Sequence, residues 1–220
     1  MPRMARVVVP GYPHHVTQRG NRRQAVFLVD DDWRTYLSLI RAACATAETS
    51  VLAYCLMPNH VHFVMVPSHL DGLRSALADA HRRYTRRVNF REGWRGHLWQ
   101  DRFHSFVMDE PHLQVAIPYV ENNPVRAALC HTPPQWPWSS ATRAHSTGAA
   151  TMVDWRLRSQ LLGTGGSHDF ADPDARLDTL RLHSRTGRPL GADRFIERIE
   201  AHVGRALRPR KRGPKPARKS

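Results

Sequence analysis

Leu56-Met57-Pro58-Asn59-His60-Val61-His62-Phe63-Val64-Met65-Val66 is the stretch on which the reading of this chain turns. Val51 to Met57 is β-branched and aromatic, Pro58-Asn59 is a turn, and His60 to Val66 is again strand-like. The segment therefore predicts an antiparallel hairpin. Strand side chains alternate between faces, so His60 and His62 share one face with Val64 and Val66, and Val61, Phe63 and Met65 take the other. Two imidazoles at i and i+2 can chelate one metal ion. They can equally be half-buried histidines with satisfied hydrogen bonds.

Outward from the hairpin, strands and helices alternate. Pro13 to Gln18 reads as a first strand. Asp30 to Asp32 offer a cap and dipole-favoured charge to a helix whose apolar face is Trp33, Tyr36, Leu37, Ile40 and Cys44. After the hairpin, a long helix carries Leu70, Leu73, Leu77, Ala80, Tyr84 and Val88 on one face. Phe103 to Met108 predicts a fourth strand and Pro111 to about Asn122 another helix. The order β-α-β-β-α-β followed by a helix predicts an α+β fold. It is ferredoxin-like (split βαβ), an antiparallel sheet with helices on one face.

Composition narrows the function classes. The chain has 220 residues, 41% of them hydrophobic, enough for a packed core. Its net charge of +14 and pI of about 11.0 favour a polyanion, nucleic acid ahead of an acidic membrane. The apolar runs are too short to span a bilayer or form a signal core, so a soluble, cytoplasmic protein, nucleoid-associated through DNA, is expected. Cys44, Cys55 and Cys130 form no Cys-x-x-Cys and read as thiols, not zinc or redox ligands. Eight cations and no acid fall between Ala201 and Ser220; subtracting these eight from +14 leaves the body at +6. Pro209, Pro214 and Pro216 make 208–220 a disordered basic tail that adds sequence-blind phosphate attraction. Residues 1–145 form the main domain, 146–190, broken at Gly163-Thr164-Gly165-Gly166, a variable linker, and 191–207 a short helical extension with Phe195, Ile196, Ile199 and Val203.

Tyr119 and Asn123 lie four apart, so a continuing helix puts phenol and amide on one face. A metal held by two imidazoles and an amide oxygen keeps positions open for water and phosphate oxygens, which suits Mg²⁺ or Mn²⁺. A tyrosine beside such a metal can be a covalent nucleophile; on an ordinary helix it is an interfacial side chain. Pro118 inside this helix predicts a kink near Gln114 or a later helix start. Arg82, Arg83, Arg86 and Arg87 lie off the apolar stripe of their helix as a phosphate track or a solvated face. Arg19, Arg22 and Arg23 form a second basic group. Trp94, Trp99 and Phe103 flank a loop with Arg91, Arg95 and Arg102, an arrangement that suits stacking of unpaired bases, although Trp99 and Phe103 are equally core candidates. Trp136 and Trp138 read as packing anchors.

Taken together, five ordered segments resemble the REP-associated tyrosine transposases, a branch of the His-hydrophobic-His (HUH) single-strand DNA transposase superfamily. They are Val16 to Arg23, Leu56 to Met65, Trp99 to Phe103, Tyr119 to Ala127 and Trp136 to Ser140, within about residues 5 to 145. The resemblance implies that His60 and His62 are metal ligands, that Asn123 matches the polar position after the tyrosine, and that Tyr119 attacks a phosphate of single-stranded hairpin DNA. A 5′-phosphotyrosine forms, a 3′-hydroxyl leaves, and the reverse attack rejoins strands without ATP. The partner implied is a palindromic repeat, bound by a monomer or homodimer. The alternative is a catalytically impaired module that binds such repeats, which Pro118 favours and the intact His60, His62 and Tyr119 oppose. A ferredoxin-like RNA binder would leave the histidines unexplained.

Overall fold

The computed structural model describes residues 5–142, 151–163 and 173–209. Thr164, Gly165 and Gly166 of the expected linker break, and the basic run from 210 onward, lie outside the described residues. The strands are β1 (His14–Arg19), β2 (Thr49–Met57), β3 (His60–Pro67) and β4 (His104–Val107). They form one sheet in the order β2-β3-β1-β4, with every pairing antiparallel. This is the split βαβ order, since each parallel pair (β1 with β2, β3 with β4) has a strand between its members. Helix α1 (Asp30–Thr46) connects β1 to β2, and α2 (Gly72–Glu92) connects β3 to β4.

Both helices cover one face. Val16, Tyr54, Leu56, Val61, Phe63 and Met65 of the sheet meet Trp33, Tyr36, Ile40, Leu73, Leu77, Ala80, Tyr84 and Val88 in a single core. Leu70 departs from the predicted stripe: α2 begins two residues later, so Leu70 stays 66% exposed. The aspartate run works through one member. Asp32 is buried, and its carboxylate accepts from the N–H groups of Leu28 (2.8 Å) and Val29 (3.1 Å) and from Arg91 of α2 (2.6 and 2.9 Å). Burial pushes this carboxyl's pKa up, but Arg91 and the two amides outweigh it and hold it below its ordinary range. Arg91 is thus a clamp between α1 and α2, and it lies within α2 and not in the loop that follows. Asp32→Ala leaves the amides of Leu28 and Val29 without their acceptor and takes from Arg91 one of the two carboxylates it holds, and should cost about 2 kcal/mol. Urea unfolding at neutral pH checks this, and a loss within ~0.5 kcal/mol, typical of surface substitutions, would contradict it.

The sheet's second face is covered as well, which the split βαβ reading with helices on one face did not include. Helices α3 (Glu110–Glu121), α5 (Trp155–Gly163) and α6 (Pro173–Thr186) lie there, with a single turn α4 (Asn123–Arg126) between α3 and α5. Leu52, Val64, Val66 and Phe106 meet Leu113, Ala116, Ile117, Val120 and Leu180 in a second core. Within 146–190, then, the described residues form two helices packed on the domain. Helix α3 runs through Pro118 without a break; the Pro118 carbonyl still accepts from the N–H of Asn122 (2.9 Å). Glu121 at its end accepts from Arg158 of α5 and from the Ser140 hydroxyl, each at 2.8 Å. Helix α7 (Asp193–Val203) docks Phe195 and Ile199 on Val7, Val9 and Val107. Trp138 stacks on Trp33 at 5.4 Å and the Trp136 indole N–H donates to the Leu56 carbonyl (2.8 Å), so both are packing anchors. No helix among the described residues is long and apolar enough to cross a membrane.

Candidate active site

The β1–β3 register places Thr17 opposite His62 and Arg19 opposite His60, so all four side chains share the sheet's second face. Helix α3 lays Tyr119 across the same face. The ring centroids of His60 and His62 are 4.9 Å apart, and that of Tyr119 is 6.2 Å from His62. These three groups line one cleft of about 380 Å³ together with Thr17, Arg19, Gln100, His104, Arg181 and Ser184. The phenol and the imidazole pair therefore converge.

The imidazoles are held for a particular use. The Asn59 amide nitrogen donates to the Arg23 carbonyl (3.0 Å), which leaves its oxygen to accept from His60 Nδ1 (2.6 Å). His60 thus carries its proton on Nδ1 and keeps the Nε2 lone pair. His62 Nδ1 shares a hydrogen bond with His15 Nε2 (3.2 Å), and His15 Nδ1 in turn meets the Ser184 hydroxyl (3.1 Å). When His62 donates in that bond, its Nε2 lone pair is free as well. Burial, with the charge of Arg19, pushes His60 down to about 4. Burial pushes His15 down to about 3, and burial followed by His60, His15 and Arg126 holds His62 well below its ordinary value. All are neutral at pH 7. Neutral imidazoles with the second nitrogen already hydrogen-bonded are what a divalent ion needs from such ligands, so the pair suits a metal, while no third His, Cys, Asp or Glu joins it among the described residues.

Asn123 sits differently. Its amide nitrogen donates to the Val120 carbonyl (3.1 Å) and its oxygen accepts from Arg126 (2.8 Å), and it is not among the residues lining the cleft. The cause is local: α3 ends at Glu121, and Asn123-Pro124 opens a new turn, so the i, i+4 alignment with Tyr119 is lost. Arg126 has the larger part in the geometry. Its guanidinium lies 4.3 Å over the Tyr119 ring and donates to the Tyr119 carbonyl (2.7 Å). Arg181 of α6 lines the same cleft as Tyr119.

The predicted DNA-contacting residues divide. Arg19 lines this cleft. Arg82, Arg86, Trp99 and Arg102 line a second one. Arg83 pairs with Asp79 and Arg87 with Asp31, Arg22 and Arg23 are exposed in the turn after β1, and Arg95 is exposed; none of these five lines either cleft. Sequence reading did not single out His15, Arg126, Arg181 or Ser184. A signal existed only for His15, two residues before Thr17 on the face that the register shares with the histidine pair.

Residues 8–123 match the family model described as transposase, IS200-like. A Haemophilus influenzae protein provisionally named a REP-associated tyrosine transposase is 25% identical over 122 residues, which cover 49% of this chain and 68% of that relative. The solved structure of a REP-associated tyrosine transposase bound to a REP hairpin is similar with a TM-score of 0.57. At 19% identity the likeness spans 78% of this chain and 96% of that one, and it supports the fold.

Proposed function

Because the chain belongs to the IS200-like transposase family, we propose that it is a metal-dependent endonuclease and strand transferase acting on single-stranded, hairpin-forming DNA. The observation that carries this reading is the convergence of Tyr119 with His60 and His62 in one cleft. His60 and His62 would hold Mg²⁺ or Mn²⁺ through Nε2. When bound, the ion supplies Lewis-acid polarisation of the scissile phosphate. Asn123 joins them only if Arg126 releases its amide oxygen.

The chain's own groups account for the remaining chemistry. The Tyr119 phenol oxygen attacks phosphorus and the phenol loses its proton. The P–O bond to the upstream 3′-oxygen breaks, and that oxygen leaves as a hydroxyl after taking up a proton. The downstream strand stays on Tyr119 through its 5′-phosphate. Attack by a 3′-hydroxyl on this phosphotyrosine reverses the step, so the bond energy is conserved and no nucleotide cofactor is consumed. Arg126 fixes the ring from above, and Arg126 and Arg181 place positive charge where phosphoryl charge develops. The palindromic repeat as target follows the relatives, as does action by a monomer or homodimer.

The test is incubation with labelled single-stranded hairpin DNA and Mn²⁺ or Mg²⁺, followed by denaturation in detergent. A covalent protein–DNA adduct that chelator prevents supports the reading. Hairpin binding with no adduct on any target would leave the impaired binding module instead. Arg126 offers a sharper check. Arg126→Ala frees the ring and should slow adduct formation about a hundredfold, as misplacement of a reacting group does. Arg126→Lys should restore little of it, because an ammonium cannot lie flat on the ring while bonding two acceptors. Single-turnover rates decide the point; full activity in Arg126→Ala would remove the positioning role.

A further inference from the structure

A second cleft, about 560 Å³, lies apart from the one that holds Tyr119. Leu77, Leu98, Trp99 and Phe103 give it an apolar and aromatic floor, in which Trp99 belongs to the core and the Arg6 guanidinium lies 3.4 Å over the Phe103 ring, and Arg6, Arg74, Arg82, Arg86 and Arg102 line it with cations. The cleft arises from an irregular stretch of sheet. Thr17 pairs with His104 and Gly20 with Trp99, so residues 100–103 face only Gln18 and Arg19 across the ladder. The extra length bulges outward at Asp101, whose φ is +53°. Gln18 and Asp101 border both clefts, so the bulge is the ridge between them.

Two further observations bear on what fits there. The Trp99 indole N–H is buried without a hydrogen-bond partner among the described residues, while its ring stacks on His81 at 4.3 Å. A buried donor left unpaired is costly, and the indole that carries it borders the cleft. Arg86 and Arg102 are exposed and make no ion pair among the described residues, whereas Arg74 and Arg82 are held by Asp71 and Asp79. Free cations around an aromatic floor suit an unpaired base with its phosphates. A duplex keeps its bases stacked inside and would offer the rim phosphates only.

We propose that this second cleft binds an unpaired nucleotide of a single DNA strand, its base on the Trp99–Phe103 floor and its phosphates on Arg86 and Arg102, with the strand crossing the 100–103 bulge into the tyrosine cleft. The proposal rests on the single-strand reading of the active site and extends it to the recognition of flanking DNA. Its test needs no cleavage. Full-length Tyr119→Phe protein in chelator is titrated with a short fluorescein-labelled oligothymidylate, with a blunt duplex of equal length, and with heparin as a base-free competitor. The charge-reversal pair Arg86→Glu/Arg102→Glu should weaken binding of the single strand at least tenfold. It should also flatten the salt slope by about 1.4, at roughly 0.7 per phosphate contact on a single strand. The pair Arg194→Glu/Arg198→Glu on α7 makes the same change of charge away from both clefts and should have a much smaller effect. Phe103→Ala should lose about tenfold on the single strand and nothing on the duplex. Photocrosslinking of an iodouridine-substituted strand should label Trp99 or Phe103. Equal losses from the two arginine pairs, equal effects of Phe103→Ala on strand and duplex, or crosslinks confined to other residues would each overturn it. Because no readout passes through Tyr119, an inactive enzyme that still shows these effects would sink the catalytic reading and spare this one.

Discussion

Tyr119→Phe is expected to abolish the detergent-resistant DNA adduct and strand cleavage together, while hairpin binding stays within about twofold. The substitution removes one oxygen from a ring whose position does not depend on it. Tyr119 is buried with its ring under Arg126, and its carbonyl, which the variant keeps, receives the Arg126 hydrogen bond. Phenylalanine keeps the ring contacts with His15 and His62 at 5.8 and 6.2 Å. The fold and the cleft should therefore survive, and only the nucleophile is lost. Removing a covalent nucleophile costs at least ~10⁴-fold. Gel assays on a hairpin with either metal, beside a thermal melt and an anisotropy titration, separate the outcomes. Residual adduct above one part in ~10³ would assign the attack to another side chain.

The second large effect is acid unfolding. Burial pushes His14 down to about 4, His15 to about 3, His60 to about 4 and His81 to about 3, with His62 also well below its ordinary value. In the unfolded chain each titrates near 6.5. Between pH 6.5 and about 4 the unfolded state therefore binds more protons, and stability falls as the pH falls through this window. His14 shows why the folded state resists the proton: one nitrogen meets the Tyr12 carbonyl (2.8 Å) and the other accepts from the Val9 N–H (3.2 Å). A second proton would set two N–H groups against each other. A shift of a single histidine from 6.5 to 4 corresponds to about 3 kcal/mol, and several exceed the whole stability of an ordinary domain. Asp32 does not contribute here, since its depressed carboxyl loses its stabilisation only at more acid pH, below about 4. Denaturant melts from pH 7 to 4.5 should show a steep loss and uptake of several protons on unfolding near pH 5. A flat profile would mean that these histidines are open to water.

How much of this could be read beforehand depended on distance along the chain. The hairpin, the shared face of His60 and His62, the stripe from Leu73 to Val88 and the strand order follow from two periodicities, and these are properties of neighbouring residues. Asn123 stands outside the cleft for a local reason too subtle for periodicity, a helix that stops at Glu121 and restarts at Asn123-Pro124. Arg91 looked like part of a basic loop because its partner, Asp32, lies on another helix.

The amino-acid sequence alone determined the sheet, its order and the pair of imidazoles, because backbone geometry turns spacing into direction. Tertiary structure decided everything that requires separate segments to meet. Only packing on the sheet's second face brings Tyr119 over His62, stacks Arg126 on the phenol, and sends Arg181 and Ser184 from α6 into the cleft. Likewise, only the mismatch between residues 100–103 and the two residues of β1 opposite them opens the second cleft. Contacts of that kind are set by how side chains fill the space between elements, and no local pattern encodes that space.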